Sequence, residues 1–192
     1  MKLYGKTLFF KRGIYLSIFT SFHCNLDCPY CVLKIPTGEV PKAKESTLSQ
    51  WKEFIKSFPV KIREIAISGG EPTIVPYFVE LVNWLLSEGY HVKIYTNLTS
   101  ISPFLQLKKS YRLIIKATYH ACFGNQYFQK NYRIVKEYHR VDVREFEKQT
   151  MPFSKVLKIV SNFEEVNREH FRVRPDRNIL IGCYDLIKSE IA

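Results

Sequence analysis

An α/β fold built on a parallel sheet is predicted by three features of the sequence. Short apolar, β-branched runs alternate with amphipathic stretches at helical spacing, the pattern of strands joined by crossover helices. The connections are polar and carry Gly, Pro, Asn or helix-capping residues. Two residue clusters suited to ligand chemistry directly follow the first two apolar runs, and ligands sit beyond the carboxyl ends of strands in such folds. A length of 192 residues suits one domain with its own core.

The elements follow in order. Ile14 to Thr20 reads as a buried strand that ends in a cysteine loop, and residues 34–46 as a polar, proline-containing connection. Thr47 and Gln50 form a capping-box pattern, and Leu48, Trp51, Phe54, Ile55 and Phe58 recur at helical spacing, so a helix starts there. Arg63 to Ser68 is the second strand. Pro76 opens a second helix with Phe78, Leu81, Val82 and Leu85 on one face and Gly89 as its stop. His91 to Thr96 is the third strand, followed by Asn97 and a short helix near 101–109. Tyr111 to Thr118 is the fourth strand, and residues 126–138 form a helix that aligns Phe128, Tyr132 and Val135. Val141 to Phe146 and Val156 to Val160 are further strands. The tail breaks the alternation: Phe171 to Gly182 reads as a hairpin turning at Pro175-Asp176-Arg177-Asn178. Repeated strand, helix, strand units imply parallel pairing with right-handed crossovers.

Composition narrows the setting. Of five cysteines three lie within eight residues, which argues against a secreted disulfide framework and for metal or reactive thiols in a reducing compartment. No apolar run approaches the ~20 residues needed to span a membrane. The run from Ile14 is too short for a signal-peptide core and leads into cysteines, so a cytoplasmic location is expected. The net charge of +11 attracts anions such as RNA, nucleotides or an acidic electron carrier. Its basic residues are dispersed, not gathered in a block, which makes nucleic-acid binding the less favoured reading. Cys122 and Cys183 follow apolar stretches and read as buried structural cysteines.

The cysteines in Phe22-His23-Cys24-Asn25-Leu26-Asp27-Cys28-Pro29-Tyr30-Cys31 are spaced C-x3-C-x2-C. Three thiolates in one short loop can cap three corners of a four-iron cube, whose fourth corner then stays open, whereas most such clusters take four cysteines. A zinc site from these cysteines and His23 is the alternative, although adjacency of His23 and Cys24 makes tetrahedral closure by both awkward. About forty residues on, Ser68-Gly69-Gly70-Glu71-Pro72 follows the apolar run Ile65-Ala66-Ile67.

Together the two motifs, with an aromatic Tyr30 before the third cysteine, resemble the radical S-adenosylmethionine (SAM) superfamily over roughly residues 14–120. The resemblance implies a partial, open parallel (β/α)6-like barrel with a short C-terminal β-hairpin: a core of about 12–162 and an extension of about 163–192 in one domain. It implies that Cys24, Cys28 and Cys31 hold a [4Fe–4S] cluster whose open iron is chelated by SAM. An electron from the cluster then splits SAM into methionine and a 5′-deoxyadenosyl radical, which abstracts hydrogen from a substrate. Gly69 and Gly70 are expected to let backbone approach the ligand, with Glu71 adding charge complementarity to the SAM ammonium and Tyr30 lying near the adenine. Asn97 and Thr118, at later strand ends, are expected to touch SAM or substrate.

His120 is a candidate acid–base group, with a surface or capping histidine as the competing reading. His23 is a candidate hydrogen-bond donor to sulfur, and Lys34 and Lys116 are candidates for an anionic substrate, though exposed lysines are commonly just solvated. Cys122 and Cys183 alone cannot fill a second cubane, so one cluster is expected. The small size favours a macromolecular substrate across an open mouth or a small molecule enclosed by an oligomeric partner. Candidate substrates are therefore a small molecule, a peptide or RNA, and candidate electron donors are an acidic flavodoxin or ferredoxin. Competing functions are an activase for a glycyl-radical enzyme, a family member that keeps the cluster without activity, and a non-catalytic zinc or iron–sulfur module.

Overall fold

One seven-stranded sheet in the order β5-β4-β3-β2-β1-β6-β7 organises the molecule. The computed structural model describes residues 13–29, 31, 33, 34, 44–120, 126–146, 170–173, 175, 177 and 179–181. Its elements are β1 (Ile14–Ser21), α1 (Leu48–Lys56), β2 (Ile62–Gly69), α2 (Phe78–Ser87), β3 (His91–Thr96), α3 (Ser102–Leu105), β4 (Leu113–His120), α4 (Gln126–Lys136), β5 (Arg140–Phe146), β6 (His170–Val173) and β7 (Ile179–Ile181). Every neighbouring pair from β5 to β6 is parallel, and β6 and β7 are antiparallel. Among the described residues β5 and β7 are free edges, so the barrel is partial and open.

Period-two alternation explains the layering. Leu16 and Ile18 of β1, Ile65 and Ile67 of β2, Val92 and Ile94 of β3, and Leu113 and Ile115 of β4 are fully buried in a core shared with the helices. Trp51 and Ile55 of α1 and Phe78, Leu81, Val82 and Leu85 of α2 supply the helical side, on the faces that their spacing predicts. The other face of the sheet is mixed: beside the apolar Phe19, Ala66 and Ile114 it pairs Lys93 with Glu64 at 2.7 Å and Lys116 with Asp142.

The capping box at α1 is present: Gln50 N–H donates to Thr47 Oγ1 at 3.4 Å, and Thr47 N–H donates to Gln50 Oε1 at 3.0 Å. α2 starts at Phe78 and not at Pro76, because a 3₁₀ turn (Pro72–Ile74) comes first and Pro76 forces Val75 into an extended conformation (ψ 125°). Gly89 ends α2 at φ +87°, as expected of a helix stop. α3 is a single turn, shorter than predicted, and β4 continues to His120 because β5 pairs with it that far.

The tail hairpin forms, but it does not stand apart. β6 pairs with β1 from Tyr15↔His170 to Ile18↔Val173, which covers an edge that β1 would otherwise leave open. Ser46 N–H and Oγ both donate to the carbonyl of Pro175, at 3.0 and 2.6 Å, and so tie the hairpin turn to the approach to α1. The predicted strand Val156–Val160 and most of the 34–46 connection lie outside the described residues. No described helix is long and apolar enough to cross a membrane.

Candidate functional site

Strands β1 and β2 end side by side, and the ladder between them runs on into both motifs. Ser21 pairs with Gly69 after a register shift. Gly70 N–H then donates to the Ser21 carbonyl and Glu71 N–H to the His23 carbonyl, each at 2.9 Å. The Gly-Gly-Glu turn is thereby stitched to the entry of the cysteine loop. A Cβ on Gly69 would lie 2.1 Å from the Ser21 oxygen, and one on Gly70 would lie 1.8 Å from the His23 oxygen. Gly69 also sits at φ +117°, where side chains are rarely tolerated. The close approach that these glycines permit is thus to the cysteine loop itself.

Glu71 faces inward and is 1% exposed. Its Oε1 accepts from Thr96 Oγ1 at 2.8 Å and from Thr73 N–H and Oγ1 at 3.2 and 2.6 Å, and its Oε2 accepts from Asn97 N–H at 2.7 Å. Burial pushes this carboxyl above its ordinary range, while the hydrogen bonds from Thr73, Asn97 and Thr96 oppose the shift. Through these bonds Glu71 braces the end of β2 against the end of β3.

Asn97 is also buried, and its side chain turns to the cysteine loop, with Nδ2 2.8 Å from Asn25 Oδ1 and 3.8 Å from Cys24 Sγ. Leu26 N–H donates to the same sulfur at 3.5 Å. Burial raises the Cys24 thiol above its usual range, the Leu26 N–H opposes this, and the nearby Glu71 carboxylate adds to it. Cys28 is buried 3.7 Å from His120 Nδ1, and burial holds that imidazole below its usual pKa. Cys31 N–H donates to the Cys28 carbonyl at 3.1 Å, so the C-x2-C half of the motif is a tight turn.

The loop therefore gathers sulfur, amide donors and an imidazole at the carboxyl end of the sheet. The sequence pattern of the Radical SAM superfamily matches residues 18–166, which contain all of these groups. The chain belongs to the radical SAM superfamily.

Individual relatives agree with that membership. A 7-carboxy-7-deazaguanine synthase from Haemophilus influenzae is 43% identical over 82 residues, 42% of this chain and 36% of that protein. A PqqA peptide cyclase from Bradyrhizobium diazoefficiens is 32% identical over 83 residues, 43% of this chain and 20% of that protein. The chain thus spans well under half the length of these curated relatives. Among solved structures, BtrN in complex with AdoMet and 2-DOIA shares the fold with a TM-score of 0.62 at 18% identity, over 92% of this chain and 75% of that one.

Radical SAM proteins use a [4Fe–4S] cluster and SAM, and the donors at this loop fit an iron–sulfur group. Cys24, Cys28 and Cys31 are not tied up in disulfides, and the N–H groups aimed at Cys24 suit a sulfur that carries charge. Among the described residues no three His, Cys, Asp or Glu side chains already stand together as a metal-binding group, so the thiols share a loop without a preformed centre. His120 is brought to the cysteines. Thr118 lies one pleat back on the same face of β4, opposite Arg144 in register. Tyr30 and Cys122 lie outside the described residues, as does Cys183.

Three other candidates are engaged elsewhere. The His23 side chain is 83% exposed and 4.0 Å from Glu45, so His23 contributes through its backbone carbonyl and not through its ring. Lys34 pairs with Asp27, and Lys116 pairs with Asp142 and holds that carboxyl below its ordinary range. A cavity of about 510 Å³ lined by Ile55, Lys61, Ile62 and Tyr90 sits at the opposite, amino-terminal end of β2.

Asn25, Thr99 and Asn131 join the site without having been singled out in the sequence. Asn131 Nδ2 donates to the carbonyls of Leu98 and Thr99 at 2.8 and 3.1 Å. Its signal was available: a polar residue three positions after Phe128 and four before Val135, on the stripe that the helix turns inward.

Proposed function

We propose that this chain is a radical SAM enzyme in which Cys24, Cys28 and Cys31 hold a [4Fe–4S] cluster and the strand ends beside them receive SAM. One observation carries the reading. The cysteine loop and the Gly-Gly-Glu turn are stitched by two backbone hydrogen bonds at a spacing that no Cβ would allow, so the two motifs act as one unit. When bound, the cluster supplies the electron that cleaves SAM and so generates a radical for hydrogen abstraction. The chain's own residues position and shield. Gly69 and Gly70 set the floor, Glu71 locks β2 to β3, and Asn97 and Leu26 present N–H groups to Cys24. His120 lies against Cys28 at the mouth, where we assign it to packing on the cluster loop. A reduced flavodoxin or ferredoxin is the proposed electron donor, because an acidic carrier complements the net charge of +11.

The substrate class favoured is a nitrogen heterocycle related to 7-carboxy-7-deazaguanine, since the synthase named for that product shows the higher identity of the two curated relatives. A peptide substrate is the second reading, supported by the match to a peptide cyclase. Anaerobic reconstitution followed by SAM and dithionite tests the core of the proposal. About four irons per chain and release of 5′-deoxyadenosine are expected. A fully loaded cluster that releases none would leave a binding module and overturn the enzymatic reading, and colourless protein with about one zinc would overturn the cluster assignment as well.

A further inference from the structure

We propose that Asn97 is a tuning residue: its side-chain N–H is a built-in hydrogen-bond donor to the Cys24 sulfur and raises the reduction potential of the cluster that this sulfur holds. The inference rests on the assignment of Cys24 as a cluster ligand and deepens it.

The direction of the Asn97 amide is determined by its partners. Asn97 Oδ1 accepts from Thr99 N–H at 3.0 Å and from Thr99 Oγ1 at 2.7 Å. A backbone N–H can only donate, so the amide oxygen must face Thr99 and the NH₂ must face the cysteine loop. Thr99 Oγ1 gives its proton to Asn97 and accepts from Asn25 Nδ2 at 2.7 Å, while Asn25 Oδ1 accepts from Asn97 Nδ2 at 2.8 Å. The three side chains close a ring in which each polar atom has a complementary partner. One N–H of Asn97 is used in the ring, and the other is aimed at Cys24 Sγ, 3.8 Å away.

The scaffold beneath the ring is rigid from three sides. Asn97 N–H is anchored to the buried Glu71 carboxylate. Leu98, fully buried, is held at φ +57°, a left-handed conformation that is unfavourable for a leucine. Asn131 grips the carbonyls of Leu98 and Thr99. Backbone strain of this kind persists where surrounding structure over-determines it, as it does here. The local fold therefore does more than close a loop: it points a donor at a sulfur. Hydrogen bonds to cluster sulfurs stabilise the more negative, reduced state and so raise its potential.

The test is a redox titration of the reconstituted full chain, comparing wild type, Asn97→Ala and Thr99→Val, with iron content and urea midpoints measured in parallel. Thr99→Val removes the hydroxyl from the ring while leaving Asn97 in place. Loaded Asn97→Ala is expected to shift to lower potential, so that about tenfold less reduced than oxidised cluster is present at the wild-type midpoint, or 59 mV for a one-electron couple. Thr99→Val shifts the same way by less. Unchanged potentials in loaded variants overturn the inference, even if the urea midpoints fall, because a purely structural role would move stability alone. Should Asn97→Ala fail to load iron, Thr99→Val decides by the same criterion. A wild-type chain that loads no cluster refutes the proposed function and this inference together, whereas a loaded wild type with unmoved variants refutes only the inference.

Discussion

Gly70→Ala places a methyl group where the structure has a carbonyl oxygen. The new Cβ would lie 1.8 Å from the His23 oxygen, 2.4 Å from its carbon and 2.7 Å from the Phe22 oxygen, and all three are backbone atoms. Real Cβ atoms essentially never come within 3.0 Å, so the cysteine loop must retreat from Gly70 by more than an ångström. That movement opens the two hydrogen bonds at Ser21 and His23, both 2.9 Å long. At 0.5–1.5 kcal/mol each, their loss costs about 1–3 kcal/mol, before any desolvated carbonyl is counted. The larger consequence is geometric, because His23 directly precedes Cys24. Gly70→Ala should therefore lower the urea midpoint and also reduce iron incorporation, since it shifts the ligands. Gly89→Ala is the control: it carries a backbone strain that Gly70→Ala does not, since Gly89 sits at φ +87°, but among the described residues its Cβ would meet nothing within 4 Å. It should lose only about 1 kcal/mol and load iron normally. Iron content and stability of Gly70→Ala equal to those of Gly89→Ala would refute the claim that the two motifs are locked together.

Other outcomes follow from the same contacts. Cys24→Ala, Cys28→Ala and Cys31→Ala should each abolish iron loading, and Cys122→Ala should leave it intact, as read by iron per chain and visible absorption. Glu71→Gln should destabilise by roughly 1–3 kcal/mol, because its amide NH₂ must face a donor whichever way it turns; a urea melt reads the loss. Asn131→Leu leaves the Leu98 and Thr99 carbonyls unpaired in a buried site, and should cost a similar ~1–3 kcal/mol while keeping the helix. His139 is buried, its Nε2 donating to the Phe104 carbonyl at 2.8 Å and its Nδ1 without a hydrogen-bond partner among the described residues. Burial, aided by Lys109, holds its folded pKa below the usual value. The unfolded chain then takes up a proton first on acidification, so stability falls as pH drops below about 6.5 and levels off beneath the folded value. His139→Gln should flatten that segment of a urea-midpoint profile against pH.

What the sequence discloses and what it hides divide along physical lines. Strand and helix positions were legible because burial of one face imposes a period, and Trp51, Ile55, Phe78, Leu81 and Leu85 keep that period in the folded core. The cysteine loop and the Gly-Gly-Glu turn were legible as motifs, since their chemistry needs fixed residue types at short spacing. Their joint location was also legible, from the rule that parallel strands deliver ligands to their carboxyl ends. The partners of Glu71 and Asn97 were not. A carboxylate after a glycine pair looks the same in sequence whether it faces a ligand or the interior, and the deciding groups, Thr96 and the Asn97 N–H, lie about 25 residues away. The same holds for β6, whose strand character was readable but whose seat beside β1 depends on an open edge about 150 residues earlier in the chain. Local rules therefore locate the candidate ligands, while long-range hydrogen bonds surround them with partners that no local rule displays. The proposed tuning of Cys24 belongs to the second category: it passes through Asn97, Thr99 and Asn25, residues that a motif built on cysteines alone leaves out.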